Sequence, residues 1–230
     1  MNSEKLQTGI ECVLFDLDGT LVDTAADFRH VLDRMLTGEG RPLVPPDRIH
    51  QTVSDGARAL VRLAYALEDQ DEEFEPRLQQ LLDFYFEQLQ RTEALPYPGI
   101  LELLNSLDAS DIPWGVVTNK PEKYSLRLLQ NLELLDRCGT LICPEHVDNR
   151  KPDPEPLILA CQQLGCSTER TVYIGDHQRD MQAARNADII AVAAAYGYLG
   201  PDVRAEDWPA DFIIRSAGDL AGLLTILKFA

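Results

Sequence analysis

Val13-Leu14-Phe15-Asp16-Leu17-Asp18-Gly19-Thr20 is an apolar run that ends in two carboxylates and a Gly-Thr turn. Side chains alternate along an extended chain, so Asp16 and Asp18 project the same way while Leu17 turns back into the core. Two carboxylates that close repel each other unless a cation or a shared proton intervenes, and hard divalent cations such as Mg²⁺ favour oxygen ligands of this kind. A β-hairpin with an Asp-Gly turn would require a second alternating strand directly after Thr20. The chain offers a helix instead: Thr24 and Asp27 are spaced like a capping box, and Phe28, Val31, Leu32 and Met35 follow at helical intervals. Strand, tight turn and helix in that order place turn N–H groups where they can hold an anion.

Three later stretches share this design. Trp114-Gly115-Val116-Val117-Thr118-Asn119-Lys120 is an apolar strand ending in a hydroxyl, an amide and a cation, with Pro121 opening a helix. Taken alone, Thr118 would be an ordinary cap. Lys151 lies in the proline-rich loop Asn149-Arg150-Lys151-Pro152-Asp153-Pro154-Glu155-Pro156, ahead of the helical pattern Leu157, Ile158, Ala160, Cys161, Leu164. Val172-Tyr173-Ile174-Gly175-Asp176-His177-Gln178-Arg179-Asp180 is another buried-type strand ending in acids, and Asp180 also suits a helix start stabilised by the dipole.

In this order and at these distances the four stretches resemble the motifs of the haloacid-dehalogenase-like superfamily, most of whose members are Mg²⁺-dependent phosphohydrolases. The resemblance implies that Asp16 is the nucleophile, forming an aspartyl-phosphate that splits one displacement into two. Asp18 is then the general acid, and afterwards the base for the attacking water. It implies that Thr118 and the N–H of Asn119 bind phosphate, and that Lys151 reaches both the phosphoryl group and the nucleophile. Mg²⁺ is expected on Asp16, the carbonyl of Asp18, and Asp176, with Asp180 behind them orienting Lys151 or a water. Gly19 and Thr20 of the turn, with Lys120, are further candidates for holding the phosphate.

Roughly a hundred residues separate the first motif from the second, far more than one crossover helix needs. Their patterns are helical: Phe28 to Met35, then Leu60, Val61, Ala64 and Leu67, then Leu78, Leu81, Leu82, Tyr85 and Leu89. The acidic run Glu68 to Glu73 reads as a solvated loop between helices. After Pro96-Tyr97-Pro98-Gly99, helix and strand alternate to the end, with strands near 140–143, Val172, 189–193 and 212–214 and a last helix from Ala217. The expected fold is α/β: a Rossmann-like, doubly wound parallel sheet as core (residues 1–22 and 92–230) with an inserted small helical cap domain (23–91). Such an insertion resembles the phosphoglycolate-phosphatase and β-phosphoglucomutase branch, whose caps close over the substrate. Ser54-Asp55-Gly56-Ala57-Arg58 is the candidate cap loop, with Arg58 either contacting a substrate carboxylate or hydroxyl, or simply following a helix cap into solvent.

With 38 acidic against 21 basic residues the formal charge is −17. That disfavours nucleic acid and anionic membrane as partners, so a phosphate must be held by local charge. Five cysteines, an odd number with no zinc spacing, and a polar start from Met1 to Glu11 imply a reducing, cytoplasmic setting. No run approaches transmembrane length. Monomer and homodimer both remain open. Thr118-Asn119-Lys120-Pro121 and Leu141-Ile142-Cys143-Pro144-Glu145-His146-Val147 resemble a bacterial subgroup of phosphoglycolate phosphatases and N-acetylmuramic acid 6-phosphate phosphatases. The expected substrate is thus a small carboxylate-bearing phosphorylated metabolite. His177-Gln178-Arg179 departs from the serine-rich filler common in the wider phosphatase family. A phosphosugar mutase and a non-catalytic binding protein on the same fold are the alternatives.

Overall fold

The computed structural model describes residues 9–229, and residues 1–8 of the polar opening segment lie outside it. In chain order its elements are β1 (Cys12–Phe15), β2 (Val22–Asp23), α1 (Ala25–Gly38), α2 (Pro46–His50), α3 (Ala57–Tyr65), α4 (Phe74–Gln88), β3 (Leu95–Pro96), α5 (Ile100–Ala109) and β4 (Trp114–Val117). They continue with α6 (Glu122–Asn131), β5 (Leu141–Ile142), α7 (Glu155–Leu164), β6 (Thr171–Gly175), α8 (Gln178–Asn186), β7 (Ile190–Ala194), β8 (Phe212–Ile214) and α9 (Ala217–Phe229). No helix among the described residues is long and apolar enough to cross a membrane.

The main sheet runs β5-β4-β1-β6-β7-β8 and every pairing in it is parallel. Parallel strands with both faces covered read as continuous apolar runs, which is why Cys12-Val13-Leu14-Phe15 and Ile190-Ala191-Val192-Ala193-Ala194 show no polar alternation. Period-two geometry then sorts one strand into two cores. Val13 and Phe15 enter the cluster shared with α1, α5 and α6, whereas Cys12 and Leu14 enter the cluster shared with α7 and α8. The α/β, doubly wound architecture expected from the alternation is the one observed. Two features escaped the sequence reading: the short helix α2 and an antiparallel pairing of β2 with β3. That pairing ties together the two chain segments through which α1 to α4 join the sheet.

Between β2 and β3, α1 packs on α4 with the Phe28 and Tyr85 rings stacked, centroids 4.3 Å apart. Asp27 on α1 is fully buried. It accepts hydrogen bonds from Gln88 Nε2 and the Glu93 N–H, each at 3.0 Å, and from the Thr92 hydroxyl. Asp27→Ala leaves these donors stranded, so urea denaturation is expected to show a loss of about 2–4 kcal/mol. A loss below about 0.5 kcal/mol would show that water reaches the site.

The capping box expected at Thr24 does not form, because its hydroxyl donates to Asp18 Oδ1 at 2.6 Å instead. The first N–H groups of α1 are satisfied from elsewhere: Ala25 by Asp23 Oδ1, and both Thr24 and Ala25 by the Tyr198 hydroxyl.

Candidate active site

Asp16, Thr118 and Asp176 each follow the last residue of a strand: β1, β4 and β6. In the sheet β1 lies between the other two, with Phe15 opposite Val116 on one side and Ile174 on the other. Three side chains distant in sequence therefore meet at the carboxyl ends of adjacent strands, where open α/β sheets place their ligands. Carboxylate oxygens of Asp16, Asp176 and Asp180 lie within 4.8 Å of one another. Among them only Asp16 is partly exposed.

Lys151 is buried beneath this cluster, 3.1 Å from Asp16 Oδ1 and 2.8 Å from Asp180 Oδ1. Its ammonium also donates to the Val117 carbonyl at 3.0 Å and the Tyr173 hydroxyl at 2.7 Å. Burial alone would pull the ammonium down, but Asp16 and Asp180 outweigh it and hold its pKa above the ordinary value. Asp180 is placed by the start of α8, where its Oδ2 accepts the His177 N–H at 3.1 Å. The geometry thus sets Asp180 against Lys151. Asp176 is held differently: Oδ2 accepts from the Tyr198 N–H at 2.9 Å and the Ser54 hydroxyl at 2.7 Å, with the Thr20 hydroxyl 3.4 Å from Oδ1.

Of the three clustered carboxylates, Asp16 and Asp180 pair with the Lys151 ammonium, and this charge deficit suits a cation. Burial first, then Asp16 and Asp180, push the Asp176 carboxyl up from 3.8 to about 8. The backbone leaves room for such a site only because glycine stands at Gly19, Gly175 and Gly197. A Cβ on Gly19, whose φ is +82°, would lie 2.1 Å from Asp176 Oδ2, and one on Gly197 would lie 2.3 Å from Asp176 Cβ. A carboxyl with a pKa higher in the folded than in the unfolded chain costs stability wherever the unfolded form ionises first. The cation-free protein is therefore expected to lose stability as pH rises from about 4 towards about 8. A divalent cation held by these carboxylates would favour the ionised form, so Mg²⁺ at a hundredfold excess over its Kd is expected to raise Tm by roughly 5–10 °C near pH 8. The same concentration should do less at pH 5, where a proton must first leave. Thermal unfolding at both pH values checks this, and an equal gain at both would contradict it.

Asp18, expected to project into one site with Asp16, is not part of this cluster. Its carboxylate receives the Thr24 hydroxyl at 2.6 Å and the Lys120 ammonium at 2.9 and 3.1 Å. Lys120 also donates to the Tyr85 hydroxyl at 2.7 Å and lies over the Phe28 and Tyr85 rings. Lys120, expected to hold phosphate, is thus engaged in fixing Asp18 to α1 and α4. The Thr118 hydroxyl accepts the Lys120 N–H at 3.1 Å, which directs its own proton elsewhere. Asn119 Nδ2 donates to the Lys151 carbonyl at 3.0 Å, while its buried Oδ1 has no partner.

Arg58 is not brought to the others. Its guanidinium is 42% exposed, pairs with Asp69 at 3.3 Å and Glu75 at 2.8 Å, and covers the Phe74 ring. The acidic run expected to be merely solvated supplies one of those partners. The flanking loop does reach the site, through Ser54. Residues the sequence reading did not single out are Ser54 in its own right, Tyr173, Tyr85 and Tyr198. Only Tyr173 left a signal, as the one hydroxyl among the aliphatic residues Val172, Ile174 and Gly175.

A sequence model of the haloacid dehalogenase-like hydrolases matches residues 13–194. An N-acetylmuramic acid 6-phosphate phosphatase from Pseudomonas aeruginosa is 42% identical over 94% of this chain and 95% of its own. A phosphoglycolate phosphatase from Xanthomonas campestris pv. campestris is 36% identical over 90% and 93%. Among solved structures, a predicted phosphoglycolate phosphatase from Haemophilus somnus superposes with a TM-score of 0.81 at 25% identity, covering 93% of this chain and 97% of that one. The chain belongs to the haloacid dehalogenase-like hydrolase family. Within that family it is a phosphatase.

Proposed function

We propose that the chain is a Mg²⁺-dependent hydrolase of a small carboxylate-bearing phosphomonoester, working through an aspartyl-phosphate on Asp16. One observation carries this reading: Asp16 lies against Lys151 and Asp176 at the mouth of the sheet, while Asp18, two residues on, is held apart by Lys120 and Thr24. Those are the separate environments a nucleophile and an acid-base group need.

An Asp16 oxygen attacks phosphorus, the P–O bond to the substrate alcohol breaks, and Asp18 delivers a proton to the departing oxygen. Asp18, now ionised, removes a proton from the water that attacks the phosphoenzyme, freeing inorganic phosphate and regenerating the Asp16 carboxylate. Lys151, the Thr118 hydroxyl and the Asn119 N–H face the charge that develops on the phosphoryl oxygens. Bound by Asp16, Asp176 and the Asp18 carbonyl, Mg²⁺ would supply the remaining positive charge that a chain of net −17 otherwise lacks. Residues 23–91 act as the cap over this mouth.

The 42% identity to an N-acetylmuramic acid 6-phosphate phosphatase, against 36% to a phosphoglycolate phosphatase, supports the phosphosugar acid as the preferred substrate. Phosphate release from N-acetylmuramic acid 6-phosphate, 2-phosphoglycolate and hexose phosphates, ranked by kcat/KM with and without Mg²⁺, tests it. A hexose phosphate without a carboxylate leading the ranking would overturn the substrate class. Turnover undiminished by chelator would overturn the dependence on the cation.

A further inference from the structure

His177-Gln178-Arg179 stands between the candidate metal ligand Asp176 and Asp180, yet none of its side chains enters the chemistry described above. Its contacts run to the 3₁₀ turn Val53–Asp55, more than a hundred residues away. Arg179 Nη2 donates to the Ser54 carbonyl. His177 Nδ1 accepts the Arg179 N–H at 3.1 Å, so the ring proton sits on Nε2, which lies 3.4 Å from Asp55 Oδ1. The Ser54 hydroxyl completes the set by donating to Asp176 Oδ2 at 2.7 Å.

From these contacts we infer that His177 and Arg179 are positioning residues that latch the 53–55 turn over the mouth of the site. The inference rests on the phosphatase reading only for its kinetic consequence. The turn is built to present itself. Val53 is buried on the α3 side, and Gly56, at φ +86°, reverses the chain and leads into α3, leaving Ser54 and Asp55 pointing at the sheet. A second, separate attachment lies nearer the connecting strands. There the Tyr198 hydroxyl donates to Asp23 Oδ1 at 2.7 Å and the His50 ring packs edge-on against Tyr198. That attachment holds the base of the helical unit. The contacts of Arg179 and His177 hold the turn.

Hydrogen bonds of this kind each bias closure several-fold while leaving it reversible. Asp55 and His177 are partly solvated, as a contact that must open and close requires. Because Ser54 shares Asp176 Oδ2 with the Tyr198 N–H, lifting the turn also removes a donor from Asp176. A leaving group large enough to touch the turn depends on the latch, and a small aryl phosphate does not.

Hydrogen exchange of the full-length protein, read by mass spectrometry, tests the latch without any substrate. Arg179→Ala is expected to speed exchange of amides 53–57 roughly tenfold while the β6 amides keep their protection, and Asp55→Ala should move the same amides less, in the same direction. Arg179→Lys, which retains one donor, should restore part of the protection. In kinetics, Arg179→Ala should lower kcat/KM for the preferred phosphosugar roughly tenfold and leave p-nitrophenyl phosphate within about twofold. Unchanged exchange at 53–57 in both alanine variants would overturn the latch, whatever the activity does. Faster exchange in a protein that releases phosphate from none of the substrates would uphold the latch and remove the phosphatase reading beneath its kinetic role.

Discussion

Asp16→Asn is expected to lower phosphate release by about ten-thousandfold or more while the protein stays folded. The amide keeps the shape of the carboxylate and an oxygen for the Leu17 N–H, which Asp16 Oδ1 accepts at 2.7 Å. What it loses is the anionic nucleophile. It also removes one of three charges crowded within 4.8 Å, so the variant should need less cation for stability and give a smaller Tm gain with Mg²⁺. Acid-quenched mass spectrometry should find the phosphoryl adduct on the parent protein and none on the variant. A variant retaining even a tenth of parent turnover would remove Asp16 from the role of nucleophile.

Lys151→Met is expected to cost about 3–5 kcal/mol of stability and most of the activity, because it strands Asp16 and the fully buried Asp180 without their cation. Adding Asp180→Asn removes the stranded charge while still offering an oxygen to the His177 N–H. The double variant should therefore recover most of the stability and none of the turnover. Urea denaturation of the four proteins closes the cycle. If Lys151→Met is as stable as the parent, or if Asp180→Asn restores activity along with stability, Lys151 does not serve both the buried pair and the phosphoryl group.

The difference between these two residues and Arg58 shows how far the sequence carried the site. Asp16, Thr118 and Asp176 were legible because each closes an apolar run, and the end of a buried parallel strand is a place set by local pattern alone. Lys151 needed more, since nothing local distinguishes it from a surface lysine, and only the order of motifs singled it out. The surroundings of Arg58 and Lys120 were not legible for the same reason. A cation in a chain of net −17 has many carboxylates to choose from, and its neighbours in space decide the matter: Asp69 and Glu75 for Arg58, Asp18 for Lys120. Thr24 likewise had a local role available as a cap, but Asp18 offered its hydroxyl a charged acceptor.

By itself, the sequence determined the parallel sheet, the insertion between the first two motifs and the positions of the strand-end carboxylates, because hydrophobic periodicity and the alternation of side chains are properties of neighbouring residues. Tertiary structure alone decided which hydroxyl and which cation each carboxylate would meet. Ser54 and Tyr198 reach Asp176, and Tyr85 reaches Lys120, across 122, 22 and 35 residues of chain. A hydrogen bond is satisfied by whatever donor the packed fold brings within about 3 Å, and no spacing along the chain encodes that meeting.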